Sequence, residues 1–128
     1  MKGGYVDSSC LIAIALGEPG SRELEARLSR IERLFSSSLL EAELRAALAR
    51  EGTRGRIRNL LAWVNWIYPR RRLTPEMDQI LGIGTLKGPD LWHLACALSI
   101  PPKFEVLHFL SLDDKQSKIA KSLGFRTL

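Results

Sequence analysis

The chain has 128 residues, a formal net charge of +5 and 45% hydrophobic residues, which is ordinary for one globular domain spanning residues 1–128. Its excess of basic residues makes polyanions natural partners. No basic n-region precedes an apolar h-region, and no apolar run approaches the ~20 residues of a membrane span. Neither a secretory signal nor a transmembrane helix is therefore expected, and the sequence predicts a cytoplasmic protein.

In the first half of the chain, apolar runs alternate with helical patterns. A short buried strand is expected at residues 4–6, and an apolar helix over residues 10–16 follows Asp7, with Ser8 and Ser9 as its caps. The next expected elements are, in order, a helix over residues 20–30, a weak strand over 34–37, a helix over 39–51 and a helix over 56–66.

The second half continues the alternation. The expected elements are a short strand within residues 67–73, a helix that Thr74 caps and that ends in the loop 82–84, a helix over 88–99, a strand over 105–112, a helix over 113–123 and a terminal strand over 125–128. Strands that alternate with helices predict a three-layer α/β/α domain with a central, mostly parallel sheet.

Four acidic residues recur where an apolar run gives way to a helix: Asp7, Glu43, Asp90 and Asp113. The junctions that follow parallel strands share one edge of the sheet, and ligands bind at that edge. Several carboxylates so close together repel one another unless a hard cation neutralises them, and Mg²⁺ or Mn²⁺ accepts such oxygen ligands. The pattern therefore predicts a metal site suited to phosphodiester chemistry.

Three of these acids also have a purely structural interpretation. Asp7 and Asp113 follow predicted strands, where an aspartate commonly caps the next helix. Asp90 is expected in the first turn of its helix, with Gly88 as the cap, where the helix dipole stabilises a carboxylate. A capping residue at this edge of the sheet can also bind a metal, so the two interpretations are compatible.

Glu43 and Glu41 are expected to face in different directions on one helix. Ser38 and Glu41 have the spacing of a capping box, and Glu41 precedes Arg45 by four residues, which favours an exposed ion pair. Glu43 falls in the middle of the apolar arc, where a carboxylate needs a metal or a charged partner. A buried pair with Arg50 is the alternative to a metal.

The acidic segments resemble the motifs of PIN domains. The matching segments are Val6-Asp7-Ser8-Ser9, the helix that carries Glu43-Leu44, Asp90-Leu91-Trp92-His93-Leu94-Ala95 and Ser111-Leu112-Asp113-Asp114. More narrowly, the chain is similar to the VapC-type toxins of bacterial toxin–antitoxin pairs. Residues 119–125 of the chain also resemble the last helix and strand of those toxins. Ser111 stands where that family often has threonine.

This resemblance implies a Mg²⁺- or Mn²⁺-dependent endoribonuclease, with RNA as substrate, a small antitoxin protein as partner and a homodimer as its assembly. The four acids would be its catalytic metal ligands, and Ser8 and Ser111 would hydrogen-bond the ligand carboxylates or the scissile phosphate. His93 would orient Asp90; the alternative is a solvated or core histidine. Asp114 would be an extra ligand; the alternative is a solvent-facing carboxylate in the first turn of its helix.

The middle of the chain combines arginines with aromatic residues. These are Arg54, Arg56, Arg58 and the triplet Arg70, Arg71 and Arg72, together with Trp63, Trp66 and Tyr68. Arginine for phosphate and aromatic rings for base stacking is the combination that single-stranded RNA favours, so the triplet is predicted to bind RNA. The alternative is that the two tryptophans pack in the core or in a dimer interface.

Two other classes of function stay open at this stage. An aspartate-based phosphatase or phosphoacceptor domain would use Asp7, which follows the first strand, although Ser8 and Ser9 leave no Asp-x-Asp motif. A non-catalytic α/β binding module would use the acids only as helix caps. Metal binding at the sheet edge would separate the nuclease from such a module.

Overall fold

The sheet of this protein is parallel throughout, and the computed structural model describes residues 2–53 and 55–128. Its strands are β1 (Gly3–Val6), β2 (Leu34–Ser37), β3 (Val64–Ile67) and β4 (Val106–Leu110). They lie side by side in the order β3-β2-β1-β4, and each adjacent pair is parallel. The predicted parallel sheet is confirmed.

Helices cover both faces of the sheet, which confirms the predicted three-layer α/β/α architecture. In the described part of the chain they are α1 (Ser8–Leu16), α2 (Ser21–Ser29), α3 (Ser38–Arg50), α4 (Ile57–Leu61), α5 (Thr74–Leu81), α6 (Gly88–Ser99) and α7 (Asp114–Ser122). Helices α1 to α4 pack on one face, and α5 to α7 pack on the other. A short 3-10 helix, Pro102–Phe104, leads into β4.

Two hydrophobic cores form because side chains alternate along each strand. On β1, Tyr5 enters the core beneath α5 to α7, whereas Val6 enters the core beneath α1 to α4. Their partners on β4, Phe109 and Leu110, divide in the same way. The alternation places the Tyr5 ring directly under α6.

The order of the strands reverses at β1. From β1 the chain adds β2 and then β3 on one side, and β4 later pairs with β1 on the other side. Helix α1, which follows β1, and helix α7, which follows β4, therefore leave the sheet towards opposite faces. This divergence opens a crevice at the carboxyl ends of the strands, where α/β proteins bind ligands.

The middle of the chain differs from the sequence prediction. Helix α4 ends at Leu61 instead of Trp66, and Val64 begins strand β3 instead of lying on a helix. The predicted strand within 67–73 is wrong, because β3 already ends at Ile67. Val64, Trp66 and Ile67 are β-branched or aromatic, and pairing with β2 gives their backbone groups partners that the local pattern does not reveal.

Several predicted helix starts are one or two residues away from the observed ones. The N-cap of α1 is Asp7 instead of Ser8 or Ser9, and that of α3 is Ser37 instead of Ser38. The N-cap of α5 is Leu73 instead of Thr74, and that of α6 is Lys87 instead of Gly88. The predicted terminal strand 125–128 is reduced to one parallel bridge between His108 and Arg126.

His108 on β4 is buried in an electropositive environment. Its side chain is 7% exposed, and its Nδ1 atom has no hydrogen-bond partner among the described residues. Burial lowers the pKa of His108, the backbone of Gly3 opposes this shift, and the charges of Arg126 and Arg27 add to it. The folded state therefore holds the ring neutral at a pH where the unfolded chain takes up a proton.

We expect this histidine to make the fold less stable at mildly acidic pH. Between about pH 7 and about pH 5.5, the free energy of unfolding should fall more steeply in the wild type than in His108→Gln, by up to ~1.4 kcal/mol per pH unit. Urea denaturation at a series of pH values measures both slopes. Equal slopes would show that the folded protein protonates His108 freely.

Candidate active site

Asp7 lies at the base of the crevice and is held by serine hydroxyls. Its side chain is 4% exposed. Asp7 Oδ1 accepts hydrogen bonds from Ser9 Oγ at 2.6 Å and from the Ser9 backbone N–H at 3.1 Å, which also caps α1. Asp7 Oδ2 accepts one from Ser111 Oγ at 2.7 Å. Burial raises the pKa of Asp7, and the hydrogen bonds from Ser9 and Ser111 oppose this shift.

Ser9, which the sequence prediction treated only as a helix cap, takes the position expected of Ser8. Ser8 is buried, and within residues 2–53 and 55–128 it makes no hydrogen bond to any of the four acids. The Ser9 hydroxyl also accepts a hydrogen bond from the Leu112 backbone N–H at 2.9 Å, and so joins the loop after β4 to the start of α1. Ser111 hydrogen-bonds the Asp7 carboxylate, and its role beside a metal ligand stays a prediction.

Ser111 connects three of the helix starts around the crevice. Its hydroxyl lies 2.7 Å from Asp7 Oδ2 and 2.8 Å from Gln116 Oε1, and its one proton can be donated to only one of them at a time. The same oxygen accepts the backbone N–H of Asp113 at 3.0 Å. The buried Gln116 side chain in turn donates to the backbone carbonyl of Asp90 at 3.0 Å.

Asp113 and Asp90 stand at the starts of two neighbouring helices. Asp113 caps α7, where its Oδ1 accepts the Gln116 backbone N–H at 2.7 Å. Asp90 lies in the first turn of α6 and is half-buried. Burial raises the pKa of Asp90, and the carboxylates of Asp113 and Glu43 raise it further. Three of the four acids therefore share one electrostatic environment.

Glu43 reaches the crevice from the opposite helical layer. Its side chain is 29% exposed, and Glu43 Oε1 lies 2.6 Å from His93 Nε2. It is thus at the edge of the apolar face of α3 and not directed into the core, so that prediction is wrong. The histidine, and not Arg50, is its partner, and His93 contacts Glu43 instead of the predicted Asp90.

Glu41, two residues earlier, is part of the outer surface. Its carboxylate pairs with Arg45 at 2.7 Å on an exposed face of α3, as the spacing predicted. The predicted capping box is wrong, because the N-cap of α3 is Ser37 and makes no side-chain capping bond. The two glutamates therefore face different surroundings, which makes Glu41 a matched control for Glu43.

Two lysines that the sequence prediction missed line the cleft beside the acids. The cleft has a volume of about 400 Å³ and is lined by Thr85, Leu86, Lys87, Asp90, Asp113 and Lys115. Lys115 Nζ donates to Thr85 Oγ1 at 3.1 Å, and the charge of Lys87 opposes the rise in the pKa of Asp90. In the sequence, Lys87 lies three residues before Asp90 and Lys115 lies two residues after Asp113, and this proximity could have identified both lysines as neighbours of the acids.

The four acids, called the acidic rim below, have the donor chemistry of a site for a hard divalent cation. They offer only carboxylate oxygens. The charges of Asp113 and Glu43 raise the pKa of Asp90, and a cation bound between the carboxylates would relieve this repulsion. In the described part of the chain no three acidic, histidine or cysteine side chains are grouped closely enough to hold an ion. Three of the rim acids already have hydrogen-bond partners, so they would supply few direct ligands to an ion. Mg²⁺ suits a site with few direct ligands, because it keeps several of its waters.

The arginine triplet lies beside a separate cleft. This cleft has a volume of about 540 Å³, and its lining includes Arg70, Arg71, Arg72, Met77 and Trp92. All three arginines are exposed, but Arg71 forms a two-point pair with Glu76, so Arg70 and Arg72 are better placed to contact a polyanion.

The other predicted RNA contacts divide between structural and exposed positions. Trp63 and Trp66 pack against the α1–α4 core, which supports the structural interpretation, whereas Tyr68 is 66% exposed. Arg56 pairs with Glu25 at 3.1 Å. Arg58 is exposed, and Arg54 lies outside the described residues.

The fold and the acidic rim together define an α/β protein with carboxylates at the strand-order reversal of a parallel sheet. The PIN domain family matches residues 4–122, so the chain belongs to that family, whose members are generally metal-dependent nucleases. No curated protein matches the chain. Among the described residues, no helix has both the length and the apolar character needed to span a bilayer.

Removing one rim charge should stabilise the metal-free protein. At neutral pH we expect Asp90→Asn to unfold at a higher temperature than the wild type, because the folded state raises the pKa of Asp90 and so disfavours its charged form. The advantage should shrink as the pH falls through about 4, the ordinary pKa of an aspartate, because below it Asp90 becomes protonated in both states. Thermal denaturation in chelator measures it.

Asp78→Asn is the matched control, because it removes an exposed carboxylate of α5 that lies outside the rim. It should give no gain in melting temperature. Saturating Mn²⁺ should reverse the order of the wild type and Asp90→Asn, since a ligand that binds the folded state stabilises it. A lower melting temperature for Asp90→Asn in chelator would show that the rim carboxylates do not repel one another.

Proposed function

We propose that this chain is a Mg²⁺- or Mn²⁺-dependent endoribonuclease that cleaves RNA phosphodiester bonds. The observation that carries the proposal is that Asp90 and Asp113 line one cleft at the carboxyl edge of the sheet, where the charge of Glu43 also acts on Asp90. Membership of the PIN domain family supports it, because metal-dependent nuclease activity is general in that family.

In this proposal the acidic rim, Asp7, Glu43, Asp90 and Asp113, holds the metal, directly or through water. The bound metal would lower the pKa of a water molecule and stabilise charge on the phosphate and the leaving oxygen. Ser111 holds the Asp7 carboxylate in place, and Lys87 and Lys115 supply positive charge to attract the phosphate into the cleft. Ser8 stays a candidate contact to the scissile phosphate.

The two alternative functions are less well supported. An aspartate-based phosphatase that uses Asp7 would need a second aspartate two residues later, where Ser9 stands and donates its hydroxyl to Asp7 Oδ1. In a binding module, helix capping would explain Asp7 and Asp113, but not Glu43 in the second turn of α3. The nuclease accounts for all four acids.

We further propose that the enzyme is the toxin of a toxin–antitoxin pair in the cytoplasm. The resemblance to VapC-type toxins supports a small antitoxin protein as partner and a homodimer as the assembly. Cys10 and Cys96 are both buried and free, which suits a reducing compartment. A gene for a small DNA-binding protein beside the gene of this chain would support the pairing.

The first test compares Glu43→Gln with Glu41→Gln. Glu43→Gln should lower metal-dependent cleavage of RNA on the order of 100-fold or more, because a rim ligand is lost from residues that act as a unit. Glu41→Gln should keep the activity and lose at most ~0.5 kcal/mol of stability, the value of an exposed ion pair. Cleavage rates with and without Mn²⁺, together with denaturation curves, measure these effects.

The outcome of this comparison identifies the catalytic glutamate. An inactive Glu41→Gln beside an active Glu43→Gln would contradict the assignment of Glu43. Combining Glu43→Gln with Asp113→Asn should be little worse than either single change, because residues of one metal site are non-additive. Cleavage by the wild type in excess chelator would point to a different chemistry.

The second test concerns the arginine triplet. Arg70→Ala and Arg72→Ala should each weaken RNA binding and lower the slope of log affinity against log salt concentration by about 0.7, the value for one phosphate contact on a single strand. Arg71→Ala should change the slope less, since Glu76 already pairs with Arg71.

Arg22→Ala is the control for the triplet, because Arg22 is an exposed arginine on α2. Fluorescence anisotropy with a single-stranded RNA at several salt concentrations gives the slopes. A slope that all three triplet variants leave unchanged would show that the triplet does not contact phosphate.

A further inference from the structure

His93 is buried between a core tyrosine and a rim carboxylate. The residue is 1% exposed and belongs to α6, on one face of the sheet. Its Nδ1 lies 2.7 Å from the Tyr5 hydroxyl, and its Nε2 lies 2.6 Å from Glu43 Oε1. Tyr5 belongs to β1 and Glu43 to α3, so this chain of contacts crosses from one helical layer to the other around the end of the sheet.

The acceptor character of a carboxylate determines the tautomer of the imidazole. An ionised glutamate can only accept hydrogen bonds, so His93 Nε2 must carry a proton and donate it to Glu43. In the neutral ring, Nδ1 is then an acceptor, and the Tyr5 hydroxyl donates to it. Without the Tyr5 hydroxyl, the buried Nδ1 would lose its hydrogen-bond partner, and the ring would lose the contact that orients it towards Glu43.

The Tyr5 hydroxyl is itself held in place. Its ring is fully buried, stacks on Phe109 with centroids 5.6 Å apart and meets the His93 ring edge at 5.7 Å. At the carboxyl end of β2, the Ser37 backbone N–H donates to the Tyr5 oxygen at 3.3 Å, and Ser37 Oγ also lies 3.3 Å from it. The 2.7 Å contact to His93 Nδ1 is the shorter one, so the single Tyr5 proton is assigned to His93. The sheet therefore determines where the donor to His93 stands.

Glu43 has no local anchor of the kind that holds the two helix-capping acids of the rim. Asp7 and Asp113 are short side chains that cap helices and accept backbone N–H groups within three residues. Glu43 has a longer side chain in the second turn of α3, where no such group is available, and its one described hydrogen bond is to His93. Holding it in one conformation requires a partner from elsewhere in the fold, because each free side-chain torsion opposes ordering.

We propose that His93 and Tyr5 are positioning residues that hold Glu43 for metal binding. His93 fixes Oε1 and leaves Oε2 available as a ligand, and the Tyr5 hydroxyl holds the His93 ring in the orientation that reaches Glu43. This inference rests on the proposed function, because it assumes that Glu43 is a ligand. Partners of metal ligands act in this way in other sites, where their loss weakens metal affinity or activity by about 10–100-fold.

The test measures Mn²⁺ affinity by electron paramagnetic resonance of the free ion, a readout that does not depend on cleavage. His93→Asn keeps a polar group near Tyr5 but cannot reach Glu43, and should weaken Mn²⁺ binding by about 10-fold or more. His93→Gln can place an amide N–H near Glu43 and should retain most of the affinity. Tyr5→Phe keeps the stacking on Phe109 and should also weaken binding, which guards against a folding defect in His93→Asn.

A double-mutant cycle separates positioning from a general structural role. In the Glu43→Gln background, His93→Asn and Tyr5→Phe should cause no further loss of Mn²⁺ affinity, because the group they hold is no longer a ligand. Equal losses in both backgrounds would overturn the proposal, since the residues would then act through the fold as a whole. Melting temperatures of all variants, measured in chelator, identify any unfolded fraction.

The remaining outcomes distinguish this inference from the proposed function. If Glu43→Gln loses Mn²⁺ affinity but His93→Asn and Tyr5→Phe do not, the positioning role is wrong and the nuclease proposal stands. If Glu43→Gln binds Mn²⁺ like the wild type, or if the wild type does not bind it, the metal site at Glu43 fails, and the positioning role fails with it.

Discussion

The hydrogen bond between Ser111 and Asp7 joins the ends of two adjacent parallel strands, and the rest of the acidic rim is built outward from it. Ser111 Oγ accepts the backbone N–H of Asp113, and Gln116 connects the same hydroxyl to the start of α6. One small side chain thus links the starts of α1, α6 and α7. Because the ladder between β1 and β4 fixes the two strand ends, the carboxylates around them are placed by backbone geometry.

The rim uses helix capping to hold charges that would otherwise repel one another. Asp7 and Asp113 each accept a backbone N–H at a helix start, where the helix dipole favours negative charge. Burial raises the pKa of Asp7, and burial together with the neighbouring carboxylates raises the pKa of Asp90. Two hydrophobic cores offset this cost, and a divalent cation would remove the repulsion.

The two helical layers contribute differently to the rim. Helices α6 and α7 bring Asp90, Asp113 and the two lysines of the cleft, whereas α3 brings Glu43 from the other face. The contact between Glu43 and His93 therefore also joins the layers at the open end of the sheet. The chain has a net charge of +5, and Lys87 and Lys115 line the cleft beside Asp90 and Asp113, an arrangement that suits a polyanionic substrate and a bound cation together.

The sequence by itself determined the layered parallel architecture and the acids at its edge, because both follow from local rules. An aspartate after an apolar run caps the next helix, and alternating strands and helices build a parallel sheet whose strand ends share one side. Only the tertiary structure decided that Val64 begins a strand, since its pairing partners lie on β2. It alone showed that Glu43 contacts His93, 50 residues away in sequence, and that Glu76 pairs with Arg71. Contacts between distant side chains depend on how helices pack across a sheet, and no periodicity in the chain encodes that packing directly.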